Sequence, residues 1–308
     1  MRQHIADIMK KVEFPEEARD FFLRLYDRLS DDEIRRIRNQ ESVYFMDNIT
    51  DRTDSEVNAE VEGALKSFSA DSGYDCRCIY VLFALFCTRR LRADYYSRGF
   101  DDELYYDIVR DLRYKIIECK KYDGVWGSMS FPWLHWHFLM KRFALGRFQY
   151  EEAQFKDESY NFGDIHLRKG DRVINVHIPS SGHMTEEARM DSYAKAYKFF
   201  KREGDKYIVL VCNSWLLYPG NVNVYPEDSN LMDFFKDFDI ISSDVHPVLP
   251  FPNAWRVFYK DYYGDSSNLP RNNRLEKNIA EWLADGNKIG NGYGIIIFDG
   301  EKIVNKHS

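Results

Sequence analysis

The spacing of the apolar residues changes once along this chain, at Gly146, and this change constrains the fold most strongly. In the segment 104–116 the apolar residues recur every three or four positions, which is typical of one face of a helix. The segment 147–155 instead alternates apolar with polar residues, as a half-buried strand does. We therefore predict an α+β protein, with a helical N-terminal domain over residues 1–145 and a mixed-sheet α/β domain over residues 146–308.

The C-terminal half is predicted to begin with three strands, at 147–155, 164–168 and 172–178. The turn sequence 169–171 predicts that the second and third of these strands form a hairpin. A helix over 185–202 and a wholly apolar, central strand over 207–212 follow. The remaining predicted elements are a helix at 229–238, a strand at 254–259, a helix at 274–283 and a strand at 294–298. In the N-terminal half, the last helix is predicted over 133–145.

Composition excludes several classes of function. The 308 residues carry a net charge of -7, whereas binding to nucleic acid needs a basic surface, so no nucleic-acid partner is expected. The longest apolar run, 79–87, is far shorter than the ~20 residues of a membrane span. The N-terminus has no apolar signal core, and five irregularly spaced cysteines indicate reduced thiols. These features predict a cytoplasmic protein without a membrane partner.

Polar residues collect where two predicted strands end. His177 ends the strand 172–178, while Asn213 and Ser214 interrupt the apolar strand that starts at 207. The loop after His177 leads directly into the start of a helix, and such a loop can hold a phosphate-bearing ligand. The polar side chains at the two strand ends can then face the group that this ligand delivers.

Five segments carry a resemblance to a known family: Ala144-Leu-Gly-Arg-Phe-Gln-Tyr-Glu151, His177-Ile-Pro-Ser-Ser-Gly182, Ser192-Tyr-Ala-Lys-Ala-Tyr-Lys-Phe-Phe200, Cys212-Asn-Ser-Trp-Leu-Leu-Tyr-Pro219 and Asp228-Ser-Asn230. With the order of the elements, they resemble a bacterial acyltransferase family that joins a helical N-acyltransferase-type N-terminal domain to a GNAT-like C-terminal domain. The resemblance implies transfer of an acyl group from coenzyme A to a small-molecule acceptor, expected to be an amine. Acetyl-CoA or another acyl-CoA would be the co-substrate.

The resemblance also implies roles for particular residues. The pantetheine arm of coenzyme A is expected between strands 172–178 and 207–214, and its pyrophosphate near the loop. His177 is the candidate base, since its unperturbed pKa of ~6.5 suits proton transfer near neutral pH. Tyr218 is the candidate acid for the leaving thiolate, and Ser214 is a further candidate catalytic residue. The expected cofactor-binding residues are Ile178, Ser180, Ser181, Gly182, His183, Thr185 and Asn213.

Structural roles are the alternatives for these residues. His177 could simply fix the strand end through a hydrogen bond, and the loop could be a helix entry with Thr185 as N-cap. The loop has one glycine, and the acidic pair 186–187 would oppose a phosphate. The alternative function is therefore a non-catalytic small-molecule-binding protein on a GNAT-like scaffold. No metal is expected, since His135 and His137, two apart on a helix, point to different sides.

Overall fold

The structure is a computed structural model that describes residues 1–47 and 51–306. The chain divides into two compact units, Met1–Ala144 and Leu145–Ser308. The first unit is helical, and the second is built around a mixed β-sheet. The predicted order, a helical N-terminal part followed by a mixed-sheet α/β part, is confirmed.

The first unit contains nine helices within the described residues. Its longest helix is buried along most of its length and carries the apolar run 79–87. Two other helices begin with capping boxes, at Ser30 and Thr53, where the side chain and a glutamate three residues later satisfy backbone N–H groups. The helices are α1 (Arg2–Lys11), α2 (Glu16–Arg28), α3 (Asp31–Arg38), α4 (Glu41–Tyr44), α5 (Asp54–Ser72), α6 (Cys76–Ser97), α7 (Asp102–Val109), α8 (Asp111–Asp123) and α9 (Phe131–Phe138).

The helix predicted over 133–145 is wrong in its second half. Helix α9 ends at Phe138, and Met140 takes a left-handed conformation with φ 53°. A short strand, β1 (Arg142–Leu145), follows. The left-handed residue ends the helix, because a helix requires negative φ at each position.

The second unit contains seven strands and four α-helices in the part of the chain that the structure describes. Five strands lie side by side in the order β2-β5-β6-β8-β7, and β3 with β4 forms a separate two-stranded sheet. Strands β5 and β6 are parallel, while the other recorded pairs are antiparallel. The elements are β2 (Phe148–Gln154), β3 (Ser159–Phe162), β4 (Ile165–Arg168), β5 (Arg172–His177), α10 (Glu186–Phe200), β6 (Ile208–Ser214), α11 (Asn230–Lys236), β7 (Asp239–Asp244), α12 (Trp255–Phe258), α13 (Arg274–Ala284) and β8 (Asn291–Phe298).

The hairpin predicted between 164–168 and 172–178 does not form. Strand β4 pairs with β3, and β5 pairs instead with β2 along Gln149–Gln154. The β3–β4 ribbon places Tyr160, Ile165 and Leu167 in one hydrophobic cluster with residues of β5, β6 and β8. Burial of these side chains explains why the ribbon packs on the sheet face rather than extending the sheet.

Two other expectations change in the second half. The segment predicted as a strand at 254–259 is the short helix α12, and Tyr259 ends it in a left-handed conformation with φ 51°. The edge strand β7 was not predicted. Its last three residues, Ser242–Asp244, are polar and exposed, so they lack the apolar alternation that marks a strand in sequence.

The two faces of the main sheet are covered differently. Helix α10 covers one face, where the ring of Tyr193 stacks on Phe148 and Ser192 hydrogen-bonds the hydroxyl of Tyr150. The other face carries the hydrophobic cluster with the β3–β4 ribbon. None of the helices in residues 1–47 and 51–306 has both the length and the apolar character that crossing a bilayer requires.

Candidate functional site

The recorded pairing of the parallel strands β5 and β6 stops before their carboxyl ends. Their recorded pairing comprises Ile174 with Leu210 and Asn175 with Val211, whereas β5 continues to His177 and β6 to Ser214. Facing strand edges beyond such a pairing can bind a ligand in an extended conformation through backbone hydrogen bonds. We call the stretch between the ends of β5 and β6, beyond their recorded pairing, the seam.

Sheet register brings five polar residues into one row on the face opposite α10. Gln149 pairs with His177, Asn213 pairs with Tyr293, and Tyr293 pairs with Ser242. His177 and Asn213 each lie two residues beyond the last pair of β5 with β6. Because side chains alternate between faces along a strand, all five point to the same side. We call these five residues the polar row; the seam divides it between His177 and Asn213.

His177 is held by a carboxylate from the neighbouring strand. Its Nε2 lies 2.8 Å from Oε1 of Glu151, whose side chain is 8% exposed against 17% for His177. Nδ2 of Asn175 donates to the same Oε1 at 3.2 Å and lies 3.1 Å from Nε2 of His177. A buried carboxylate beside an imidazole fixes the ring orientation and favours the protonated ring. This arrangement suits a group that accepts a proton during a reaction.

The loop after His177 is held by one arginine. Nη1 of Arg147 donates to the carbonyl of Pro179 at 2.9 Å and to Oγ of Ser181 at 2.8 Å, and Nη2 donates to the carbonyl of Gly182 at 2.9 Å. Gly182 has φ 116°, a conformation that side chains of L-residues rarely adopt. The guanidinium therefore fixes the loop and adds a positive charge next to it.

The remaining residues predicted to bind a cofactor lie along this loop. Ser180, Gly182 and His183 are exposed, and Ile178 is half-buried. Thr185 is the N-cap of α10, with Oγ1 accepting from the backbone N–H of Ala188 at 3.3 Å. The loop thus joins the end of β5 to the N-terminus of a 15-residue helix, where backbone N–H groups and the helix dipole favour an anion.

Ser214 points away from the polar row, and its hydroxyl has a local structural role. Alternation along β6 directs the side chain of Ser214 to the opposite side from that of Asn213, and its Oγ accepts from the backbone N–H of Leu216 at 3.2 Å. The hydroxyl thereby caps a 3₁₀ turn over Trp215–Leu217. Tyr218 follows this turn and packs on Gly220, where an added Cβ would meet the ring at 2.6 Å.

Burial deactivates the thiol that adjoins Asn213. Burial raises the pKa of Cys212, next to Asn213, to about 12, so its thiolate is scarce near neutral pH. All five cysteines are free. Over the described residues, no three His, Cys, Asp or Glu side chains gather in a way that could hold a metal ion.

Three residues of this region were missed by sequence reasoning: Glu151, Arg147 and Tyr293. Glu151 and Arg147 lie inside the segment 144–151 that carries the family resemblance. No short sequence pattern around Glu151 or Arg147 indicates its role, because each of them contacts a partner on another element. Alternation along β2 was the one available signal, since it places Glu151 on the same face as Gln149.

Two protein-family models match the two halves of the chain. The domain family described as GNAT-like C-terminal domain matches residues 143–296, and the N-acyltransferase N-terminal domain matches residues 3–140. A search of curated proteins found no match.

Solved structures of acyltransferases share the fold. An acyltransferase mutant in complex with octanoyl-CoA superimposes with a TM-score of 0.73 at 18% identity, covering 96% of this chain and 88% of that chain. An acyltransferase in complex with decanoyl-CoA and teicoplanin gives a TM-score of 0.72 at 19% identity, covering 95% of this chain and 87% of that chain. An acyltransferase in complex with decanoyl-CoA gives a TM-score of 0.70 at 20% identity, covering 95% of this chain and 86% of that chain. The two domain matches confirm the resemblance found in the sequence, and the chain belongs to the acyltransferase family that joins an N-acyltransferase N-terminal domain to a GNAT-like C-terminal domain.

Proposed function

We propose that this protein transfers an acyl group from an acyl-CoA to an amine. The observation that carries the proposal is the seam between β5 and β6, which ends at a histidine held by a buried carboxylate. The complexes of the structurally similar acyltransferases with octanoyl-CoA and decanoyl-CoA support an acyl-CoA as the donor.

The donor is proposed to lie along the seam and the following loop. Its pantetheine arm would hydrogen-bond the free edges of β5 and β6 near Ile178 and Asn213. Its pyrophosphate would lie near the N-terminus of α10, at Thr185. Arg147, whose guanidinium holds the loop, would contribute positive charge on this side of the donor site. Contacts from Ser180, Ser181, Gly182 and His183 complete the proposed donor site.

His177 is proposed to act as the general base. With Nε2–H donating to Glu151, Nδ1 carries the lone pair that takes a proton from the attacking amine. The amine nitrogen forms a bond to the thioester carbonyl carbon, and the tetrahedral oxyanion then expels the thiolate of coenzyme A. The proton held on His177 goes to the leaving sulfur, which leaves an amide and a free thiol. Tyr218 remains a second candidate for donating that proton.

Octanoyl-CoA is the probe for testing this proposal. A donor present at 100 times its dissociation constant should raise the free energy of unfolding by about 2.7 kcal/mol. His177→Gln should lower the rate of amine-dependent thiol release by about 10²–10⁴-fold while the affinity for octanoyl-CoA stays the same. An unchanged rate per folded molecule would exclude His177 as the base.

The same measurements address the non-catalytic alternative. The single glycine of the loop and the acidic pair 186–187 are the observations that favour it. Binding of octanoyl-CoA without thiol release in the presence of any amine would support a binding protein. Absence of binding would contradict the proposed donor site itself.

A further inference from the structure

Asn175 contacts both members of the pair formed by Glu151 and His177. Its Nδ2 lies 3.2 Å from Oε1 of Glu151 and 3.1 Å from Nε2 of His177, and these last two atoms are 2.8 Å apart. We infer that Asn175 is a positioning residue for the reaction. Its amide holds the carboxylate against Nε2, which keeps the imidazole proton on Nε2 and the lone pair on Nδ1. The inference rests on the proposed function and names a residue that acts through the proposed base.

The register of the sheet places the three side chains on one face. Asn175 is the direct cross-strand partner of Glu151 and precedes His177 by two residues on β5, so all three point to the same side. Cβ atoms of a direct pair lie about 5 Å apart, whereas those of a diagonal pair such as Glu151 and His177 are separated by roughly 7–8 Å. Glu151 can bridge this diagonal only by leaning along the sheet, and a short side chain at position 175 leaves room for it to do so.

One arrangement of donors and acceptors satisfies these three atoms. A carbonyl oxygen of Asn175 turned toward Oε1 would put two acceptors in contact, so the NH2 group must face the carboxylate. A bare Nε2 would also face Oε1 with two lone pairs unless the carboxyl were protonated, and a carboxyl is a stronger acid than an imidazolium. Oε1 of Glu151 therefore accepts from both Asn175 and His177, and Nε2 carries its proton.

The amide of Asn175 stabilises the carboxylate in its ionised form and in this orientation. Hydrogen bonds that a carboxylate accepts favour its charge, and a bond to a charged group is stronger than one between neutral groups. The side chain of Glu151 is 8% exposed, so water can replace a lost donor only in part. Loss of the amide would let Oε1 turn away from Nε2. The imidazole would then populate its second tautomer, in which Nδ1 carries the proton and cannot accept one.

The residue type at position 175 supports this role. Asparagine is depleted in strands, yet Asn175 lies in a strand with a neighbour on each side, between the buried residues Ile174 and Val176. For folding alone, a β-branched side chain would suit this half-buried position better. An aspartate would bring a second negative charge beside Glu151. An asparagine supplies a short, neutral donor, which is what the carboxylate needs.

Asn175→Leu removes the amide and keeps the approximate volume of the side chain. We expect kcat for amine-dependent thiol release from octanoyl-CoA to fall about tenfold, the scale of one hydrogen bond to a charged group, while KM for octanoyl-CoA stays the same. Asn175→Ala is the second variant, in case leucine disturbs the strand. Asn161→Leu is the matched control, because Oδ1 of Asn161 also lies 2.7 Å from a histidine, Nδ1 of His166, but on the exposed β3–β4 ribbon. A wild-type kcat in a folded Asn175 variant would overturn the inference.

A double-mutant cycle shows whether Asn175 acts through Glu151. In the Glu151→Gln background, Asn175→Leu should lower kcat by less than about twofold, because the charge that the amide holds in place is already gone and residues in contact are not additive. Equal fold losses in the two backgrounds would mean that Asn175 acts independently of the carboxylate, and the inference would be overturned.

The tautomer of His177 gives a readout that does not depend on activity. Heteronuclear NMR of the full chain, labelled at histidine and studied at a pH where the ring is neutral, reports which ring nitrogen carries the proton, and the spectrum of His177→Gln assigns the signal. We expect the proton on Nε2 in the wild type and a larger share of the Nδ1–H tautomer in Asn175→Leu. An unchanged tautomer ratio would overturn the inference.

The activities of the wild type and of His177→Gln separate this inference from the proposed function. If His177→Gln loses activity and Asn175→Leu does not, the positioning role is wrong and the proposed function stands. If the wild type releases no thiol from octanoyl-CoA in the presence of amines, the proposed function is wrong, and the positioning role in the reaction is overturned with it.

Discussion

The carboxylate of Glu151 lies 2.8 Å from Nε2 of His177, although the two residues are not direct partners in the sheet. In the antiparallel register, Glu151 pairs with Asn175 and Gln149 pairs with His177. The contact therefore runs diagonally across β2 and β5 on one face, within the reach of long side chains. The proposed base at the end of the seam is thereby oriented by a neighbouring strand.

Glu151→Gln should lower the rate of thiol release by about tenfold or more without changing the affinity for octanoyl-CoA. The substitution keeps the shape of the side chain but removes the negative charge that stabilises a protonated imidazole. Steady-state kinetics with octanoyl-CoA would separate kcat from KM. Glu152→Gln is the matched control, because this neighbouring side chain is exposed and points to the other face. Equal rates for the two variants would contradict a role for Glu151 in the reaction.

Arg147→Ala should weaken the binding of octanoyl-CoA by about tenfold, because it removes three hydrogen bonds that hold the loop after β5. Arg147→Lys should recover only part of this loss, since an ammonium group cannot reproduce the fork of a guanidinium. Isothermal titration calorimetry measures the affinity. Arg168→Ala removes an exposed arginine from β4 and serves as the control. Wild-type affinity in Arg147→Ala would show that the loop does not need this clamp.

Asp237→Asn should lower the free energy of unfolding by about 3–5 kcal/mol, because it leaves a buried arginine without its counter-charge. Asp237 is 2% exposed and lies 2.7 Å from Nε of Arg189, with Nζ of Lys306 at 2.9 Å. Urea unfolding followed by tryptophan fluorescence measures the change. The control is Asp233→Asn, an exposed position on helix α11, which ends just before Asp237; here we expect a change within about 0.5 kcal/mol. A similarly small effect at Asp237 would contradict the prediction.

Stability should fall as the pH drops from about 7 toward 5, partly through His135. Desolvation by burial lowers the pKa of His135 despite the hydrogen bond of its Nε2 to the carbonyl of Tyr44 at 2.6 Å. In the unfolded chain the pKa of His135 is ~6.5, so below that pH the unfolded chain takes up a proton before the folded chain does. The stability present above pH ~6.5 is therefore lost as the pH falls toward the lower pKa of His135 in the folded state. Burial also lowers the pKa of His4, which contributes in the same direction.

The variant His135→Gln isolates this contribution. Its free energy of unfolding should depend less on pH over that interval than that of the wild type, because one titrating group has been removed. Urea unfolding at a series of pH values gives both slopes. A variant with the wild-type slope would assign the acid sensitivity to other groups.

Some elements could be predicted from sequence because their signals are local. Helix α10 begins where Thr185 caps it, and the apolar run that becomes β6 lies at the centre of the sheet. The β3–β4 ribbon, the edge strand β7 and the helix α12 were missed or assigned wrongly. In each case the conformation depends on which distant strand or cluster the segment packs against, and no local pattern carries that information.

The sequence by itself determined the order of helical and mixed-sheet parts, the family, and the candidate positions at the ends of two strands. Periodicity and residue type are enough for these, because they act over one turn of helix or a few residues of strand. Only the tertiary structure decided which side chains meet. Glu151 reaches His177, Arg147 holds the loop at Gly182, and Tyr293 faces Asn213 because pairing registers bring them together. A shift of one residue in a register turns every side chain of a strand to the other face, so these contacts cannot be read from any one segment.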